Sequence, residues 1–421
     1  MIGSNSRFPS QGRDWPELAE ELQQRRQAQG DMTWDSLRNL KASYNGGAEV
    51  SKIGWDAYTM FSGDNLIYSS TLYPSLESIG DDVIAMALEM LNAPEGATGT
   101  ITTGGTESIL LAVRTALNWA RATRPVPGKA EIILPSNAHA SFTKAAELMG
   151  ITDIRVPIRN YHADVQAMAD AVTENTIMIV GSAHAYPFGH VDDITALGSL
   201  CEKHNTWLHV DSCVGGFFLP FAVDLGHPVP SFDFSVANVC SMSADLHKYG
   251  YTPRGASVML LRDQAWSQYQ GFHFSAWETG VFNTQTISGS RPAGAIAAAW
   301  AVMNFLGFDG YRKLVEATLA AKDSMVNALA TVDGLELCGT PHGGLIAFRG
   351  VDGLDMFAVR EGMTANGWQT GVTVDPPGFQ MILNAHSGAI VEPFLDEITS
   401  VIEQVRSGAI IAASGDISYG V

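Results

Sequence analysis

Residues 175–212 read NTIMIVGSAHAYPFGHVDDITALGSLCEKHNTWLHVDS. Two short apolar runs, 176–183 and 206–211, flank a stretch, 194–205, with a helical pattern. Strand, helix and strand in that order form the unit of a parallel sheet, because parallel neighbours need a long crossover. Moving outward, EIILP (131–135) and ASVMLL (256–261) have the same buried-strand character, and TESILLAVRTALNWAR (106–121) reads as a helix. The alternation from about 95 to 265 predicts an α/β domain whose mostly parallel sheet is covered by helices. The segment GAIAAAWAVMNFLGF (294–308) reads as a long helix leaving that domain. The expected organisation is an N-terminal arm over 1–55 with one short helix in PELAEELQQRRQAQ, a large domain over 56–295 and a small C-terminal α+β domain over 296–421.

Composition narrows the function. The chain has 421 residues, 46% apolar and 16% charged, which suits a large globular domain joined to a smaller one. Its net charge of -19 repels nucleic-acid backbones, so nucleic acid is excluded as a partner and any bound anion needs a local site. Cys201, Cys213, Cys240 and Cys338 lack metal-ligand spacing; no metal is expected, and free thiols fit a reducing compartment. No apolar run is long enough to span a bilayer, and the polar start SNSRFPSQGRDWPE is no signal peptide, so the expected location is the cytoplasm.

In open α/β sheets, ligands bind beyond the carboxyl ends of the strands. Thr102-Thr103-Gly104-Gly105-Thr106-Glu107-Ser108 opens a helix. Its glycines admit close backbone approach, and a helix start offers free N–H groups, a cradle for phosphate or simply a capped turn. It lacks the lysine of a nucleotide P-loop. Asp211 ends a strand in Leu208-His209-Val210-Asp211-Ser212; there it can pair with a protonated ring nitrogen or cap a turn. Of eight lysines, most lie in polar surroundings typical of solvated faces. Lys248 instead sits in Ser243-Ala244-Asp245-Leu246-His247-Lys248-Tyr249-Gly250-Tyr251-Thr252-Pro253-Arg254-Gly255, between apolar strands. Burial there should help it shed its proton, as an imine-forming amine must. Arg254 suits a phosphate or carboxylate, or a structural ion pair. His139, in Asn137-Ala138-His139-Ala140-Ser141, can stack on a flat ligand or merely start a helix. Ser288-Gly289-Ser290-Arg291-Pro292 is a second anion contact or a turn. A phosphate cradle, a stacking imidazole, an acid for a pyridine nitrogen and an imine lysine together describe one ligand, pyridoxal 5′-phosphate (PLP).

The order and wording of these motifs resemble the group II PLP-dependent decarboxylase superfamily, of aspartate-aminotransferase fold (fold type I). Within it the chain is most similar to the sphingosine-1-phosphate lyases. The likeness runs from about 45 to 400 and is densest at TTGGTES, HASFTKAAELMGI, NTIMIVGSAHAYPFGHVDDI, HVDSCVGGF, SADLHKYGYTPRGASV and SGSRPAGA. It implies Lys248 as the Schiff-base lysine, Asp211 as partner of the pyridine nitrogen and His139 as the stacking residue. It also implies Gly105, Thr106 and His247 at the cofactor phosphate, and Ser288 and Gly289 arriving from the second subunit of a homodimer. Three positions depart from the pattern. Ser212 stands for Ala, Arg254 for the lysine that meets the substrate phosphate, and Asn65-Leu66-Ile67-Tyr68 for Asn-Pro-Leu-His.

The resemblance implies retro-aldol cleavage of an amine substrate with an anionic head group. Arg254 is the expected anchor, Asn65, Tyr68 and Tyr249 are further substrate contacts, and Lys248 or Tyr249 is the candidate base. The competing expectations are α-decarboxylation of aspartate, glutamate or tyrosine, and a catalytically silent binding module of the same fold.

Overall fold

The computed structural model describes residues 11–28 and 33–412. In chain order the strands are β1 (Thr98–Thr102), β2 (Glu131–Pro135), β3 (Thr152–Val156), the short pair β4 (Ile158–Arg159) and β5 (His162–Ala163), β6 (Thr176–Ser182), β7 (Trp207–Asp211), β8 (Val239–Ala244), β9 (Ser257–Leu261), the hairpin β10 (Phe272–Trp277) and β11 (Gly280–Thr284), β12 (Leu335–Leu337), β13 (Leu345–Gly350), β14 (Gly371–Val374) and β15 (Pro377–Ile382). Seven of them build the main sheet in the order β1-β9-β8-β7-β6-β2-β3.

The quoted stretch folds as expected. β6 and β7 are buried along their whole length and pair in parallel. The helix Ile194–His204 joins them, capped at its start by the Asp193 carboxylate and closed by Asn205 in the left-handed region. β2, β3 and β8 extend the parallel set. Strand β9 is the exception, running antiparallel to both β8 and β1. The reason is length: residues 245–256 join β8 to β9 without a helix, so the chain cannot cross over and must turn back. Helices pack on both faces, which is why these strands read as continuous apolar runs.

The long helix Gly294–Leu329 carries the chain out of this domain and is broken at Gly307, whose φ of +53 is left-handed. The small domain is the antiparallel sheet β12-β13-β15-β14 with the helices Met356–Ala365 and Val391–Arg406 over it. The N-terminal helix spans Trp15–Gln27. The helix Ala48–Met60 crosses the boundary drawn from sequence near 55 and packs on the long helix.

Buried imidazoles mark the seam between the domains. Gly189 lies so close to the small domain that a Cβ there would sit 2.1 Å from the Leu345 carbonyl oxygen. Next to it, His190 holds the Cys338 carbonyl at 2.8 Å. Burial, reinforced by neighbouring imidazoles, pushes the His184 pKa down to about 3 and that of His190 to about 4. Burial alone takes His209 to about 4. These groups are neutral in the fold and protonate in the unfolded chain near 6.5, so their stabilisation is present above pH 6.5 and is lost as pH falls towards 4. Asp192 opposes this, because burial lifts its pKa to about 6. Three groups against one give a net loss, so the melting temperature should fall by roughly 5 °C or more between pH 6.5 and 4.5. A flat calorimetric profile over that range would remove these imidazoles from the stability of the fold.

Candidate active site

A cavity of about 400 Å³ opens at the carboxyl ends of β6, β7 and β8. Its walls include Gly105, Thr106, His139, Asp211, His247, Lys248 and Arg254, so seven residues singled out from sequence meet in one place. Its volume falls in the range of small-molecule sites.

The Lys248 loop is tightly wound. The Lys248 amide donates to the Asp245 carbonyl at 3.2 Å, and Tyr251, at a φ of +58, donates to the Lys248 carbonyl at 2.9 Å. Gly250 is required there, since a Cβ would lie 2.2 Å from the Leu246 carbonyl oxygen. The loop presents Lys248 Nζ 2.9 Å from Asp245 Oδ2, with a fifth of the lysine side chain exposed. Here the structure corrects the expectation of an easily lost proton. Burial does lower the amine's pKa, but the Asp245 carboxylate outweighs it and holds the ammonium well above the ordinary lysine range. Asp245 itself is pushed up by burial, but Lys248 and His247 more than reverse this and keep it ionised. Sequence reasoning quoted Asp245 without giving it a role; an acid three residues before the lysine was the available signal.

Asp211 closes β7 with its Oδ1 accepting from the Cys213 amide at 3.1 Å and the Ser243 hydroxyl at 3.2 Å. Oδ2 receives no hydrogen bond from the described residues. Behind it, Ser243 Oγ lies 3.3 Å from His209 Nε2, and His209 Nδ1 lies 2.8 Å from Ser241 Oγ. This chain of hydroxyls and a neutral imidazole fixes the carboxylate's orientation without neutralising it.

The cradle forms where β1 turns into the helix Gly105–Thr123. Gly104 has a φ of +155, and a Cβ on Gly105 would stand 2.8 Å from Cys213 Sγ and 2.9 Å from Asp245 Oδ2. Glu107, which the sequence reading passed over, accepts from the Thr103 amide and hydroxyl through one oxygen and from the Ile287 and Ser288 amides through the other. It thereby ties the cradle to the 287–288 turn. His139 Nδ1 accepts from the Ser141 amide at 3.2 Å, so it both starts a helix and lines the cavity. Burial lowers its pKa and keeps the ring neutral.

Five predicted positions lie elsewhere. The Tyr249 hydroxyl is buried and donates to the Leu383 carbonyl at 2.7 Å, so the structure removes it from the cavity wall and from the choice of base. Asn65 takes the Ile67 and Arg291 amides and bonds Ser290 Oγ at 3.0 Å. Tyr68 is 48% exposed. Residues 65–68 and 288–291 come together at the surface, outside the cavity of their own chain.

The donor set fits PLP. A cradle too close for any side chain but hydrogen suits a phosphate at a helix start. An acid with an unused oxygen suits a protonated pyridine nitrogen, and buried His247 Nδ1 and Asp245 Oδ1 have no partners among the described residues. Among the described residues no cluster could hold a metal ion, and no helix is long and apolar enough to cross a membrane.

Comparison with known proteins agrees. The family described as the pyridoxal-dependent decarboxylase conserved domain matches residues 2–351. A sphingosine-1-phosphate lyase of Oryza sativa is 36% identical over 370 residues, covering 86% of this chain and 67% of its own length. A probable L-aspartate decarboxylase of Thermococcus gammatolerans is 31% identical, covering 95% of this chain and 100% of its own. The solved structure of a sphingosine-1-phosphate lyase from Burkholderia pseudomallei superposes with a TM-score of 0.90 at 33% identity, covering 97% of this chain and 95% of that one. The chain therefore belongs to the pyridoxal-dependent decarboxylase family, as a sphingosine-1-phosphate lyase-like, PLP-dependent carbon–carbon lyase of fold type I.

Proposed function

We propose that this chain cleaves a phosphorylated amino alcohol of the sphingoid-base phosphate kind into an aldehyde and phosphoethanolamine. The observation that carries this is the placement of Lys248, Asp211 and Arg254 around one cavity in a chain 36% identical to a lyase acting on such a compound. When bound, PLP supplies an aldehyde for amines and a ring that accepts the electron pair of the broken bond. Lys248 supplies the anchoring amine, and Asp211 keeps a proton on the ring nitrogen through the carboxylate oxygen that the protein leaves unused. His139 would cover the cofactor's ring, and Gly105, Thr106 and His247 would hold its phosphate. Arg254 would anchor the substrate's anionic head and so fix how the reacting carbon is presented. Lys248 would serve as the base for the substrate hydroxyl only as the neutral amine set free when the substrate's own amine takes its place, and Asp245, 2.9 Å away in the structure, would steady the ammonium it then becomes. A homodimer whose second subunit supplies Ser288, Gly289, Asn65 and Tyr68 accounts for the position of those residues outside their own chain's cavity. The cytoplasm is the proposed location.

The full-length likeness to a probable aspartate decarboxylase makes α-decarboxylation the competing reading. Incubation with a sphingoid-base phosphate should yield aldehyde and no carbon dioxide. Carbon dioxide from aspartate, glutamate or tyrosine would show that the decarboxylase reading is right instead.

Two sets of substitutions probe the site. Lys248→Ala should lose the near-visible absorbance of the lysine-bound cofactor and all turnover, whereas Asp211→Asn should keep bound cofactor and slow turnover roughly 10²-fold or more. An unchanged spectrum in Lys248→Ala contradicts the assignment. Gly105→Ala puts a methyl group against Cys213 and Asp245. Cofactor affinity, titrated by fluorescence, should then fall about tenfold or more, the scale of a lost phosphate contact. Unaltered affinity would take Gly105 out of the cradle.

A further inference from the structure

Nothing in the sequence singles out Lys41 from the other lysines. In the fold it is half-buried and lines the same cavity as Lys248 and Arg254. Its backbone belongs to a strap fixed from both domains. Leu40 donates to the Gln369 carbonyl at 2.8 Å and accepts from the Ile382 amide at 2.7 Å, which ties the strap to the small domain. Arg254 Nη2 donates to the Ala42 carbonyl at 2.8 Å, which ties it to the Lys248 loop. Leu40 and Tyr44 are buried on either side of position 41, and the Tyr44 ring stands edge-on to Tyr249 at 5.0 Å.

Charge around the cavity is unevenly matched. Each carboxylate on its wall already has partners in the protein on at least one oxygen: Glu107 four donors, Asp211 two on Oδ1 alone and Asp245 the Lys248 ammonium on Oδ2. Among the described residues the two remaining cations lack a carboxylate. Lys41 has no hydrogen bond or ion pair with any described residue. Arg254 has no carboxylate partner among them; it holds the Ala42 carbonyl and lies 5.7 Å from the Tyr44 ring centre. In a chain with 44 acidic and 25 basic residues, two unmatched cations in neighbouring, mutually bonded segments repel each other unless an anion comes from outside.

We propose that Lys41 and Arg254 form a two-cation clamp on the substrate's phosphate monoester, with Lys41 the residue that selects phosphate over carboxylate. This rests on the reaction proposed above and deepens it. A phosphate monoester carries close to two negative charges at pH 7, a carboxylate one. Arg254 alone satisfies a carboxylate with its planar fork; the second charge of the phosphate requires the second cation.

The holoenzyme and its Lys41→Gln and Lys41→Arg variants are titrated calorimetrically with phosphoethanolamine, with inorganic phosphate and with aspartate. Lys41→Gln should bind both phosphate compounds at least tenfold more weakly, bind aspartate within twofold of wild type and keep the cofactor absorbance unchanged. Lys41→Arg should stay within threefold of wild type for all three. With a sphingoid-base phosphate as substrate, the glutamine variant should raise KM and leave kcat within twofold. Unchanged phosphate affinity in Lys41→Gln overturns the clamp, and an equal loss for aspartate overturns the selectivity. If the wild type cleaves no phosphorylated amino alcohol, the proposed reaction falls, and the clamp is still judged by the phosphate titrations.

Discussion

The site turns on a single ion pair, Lys248 Nζ against Asp245 Oδ2 at 2.9 Å. Both charges lie in a tight loop between two buried strands, and removing either would leave the other uncompensated in a poorly solvated place. The pair therefore fixes where the lysine points before any ligand arrives. The short return of the chain into β9 leaves residue 248 lining the same cavity as Asp211. The Tyr251 and Gly250 backbone conformations serve the same end, closing the loop over the fewest residues.

The second carboxylate is held by different means. On β7, His209 and Asp211 are two residues apart and share a face; on β8, so do Ser241 and Ser243, and the register sets each serine beside its β7 partner. The result is a polar ladder inside an apolar sheet, with Asp211 at its open end. Among the described residues no cation contacts Asp211 there, so its Oδ2 stays available to a ligand. The fold thus keeps its two acids apart in purpose: Asp245 is matched to a lysine of the protein, and Asp211 has an oxygen in reserve.

Much of this was legible in the sequence, for a physical reason. Strands buried on both faces leave long apolar runs, so a polar residue at a strand end stands out, and Asp211, Lys248 and the Gly104–Gly105 turn were found that way. Asp245 was harder because the loop has no regular period, and only the folded turn shows which side chains converge. Tyr249 misled because adjacency to Lys248 is not proximity to the cavity; consecutive residues in a turn point apart, and its hydroxyl goes to Leu383. Lys41 was not legible at all, because Leu40 and Tyr44 on either side anchor its strap across a domain seam that no short window of sequence contains.

On the proposed function this acidic chain handles two phosphates, and the cradle and the proposed clamp would treat them differently. At the cradle the donors would be a helix start, threonine hydroxyls and an imidazole kept neutral by burial, all dipoles rather than full charges. Such a site encloses an anion closely and binds it without drawing in other anions from solution. The proposed clamp has instead two full cations, one of them a half-buried lysine, which attract from a distance and release readily into water. A cofactor that stays through many turnovers suits the first arrangement. A substrate and a phosphorylated product that must leave suit the second, and the net charge of -19 then favours the departure of the anionic product once it is free of the clamp.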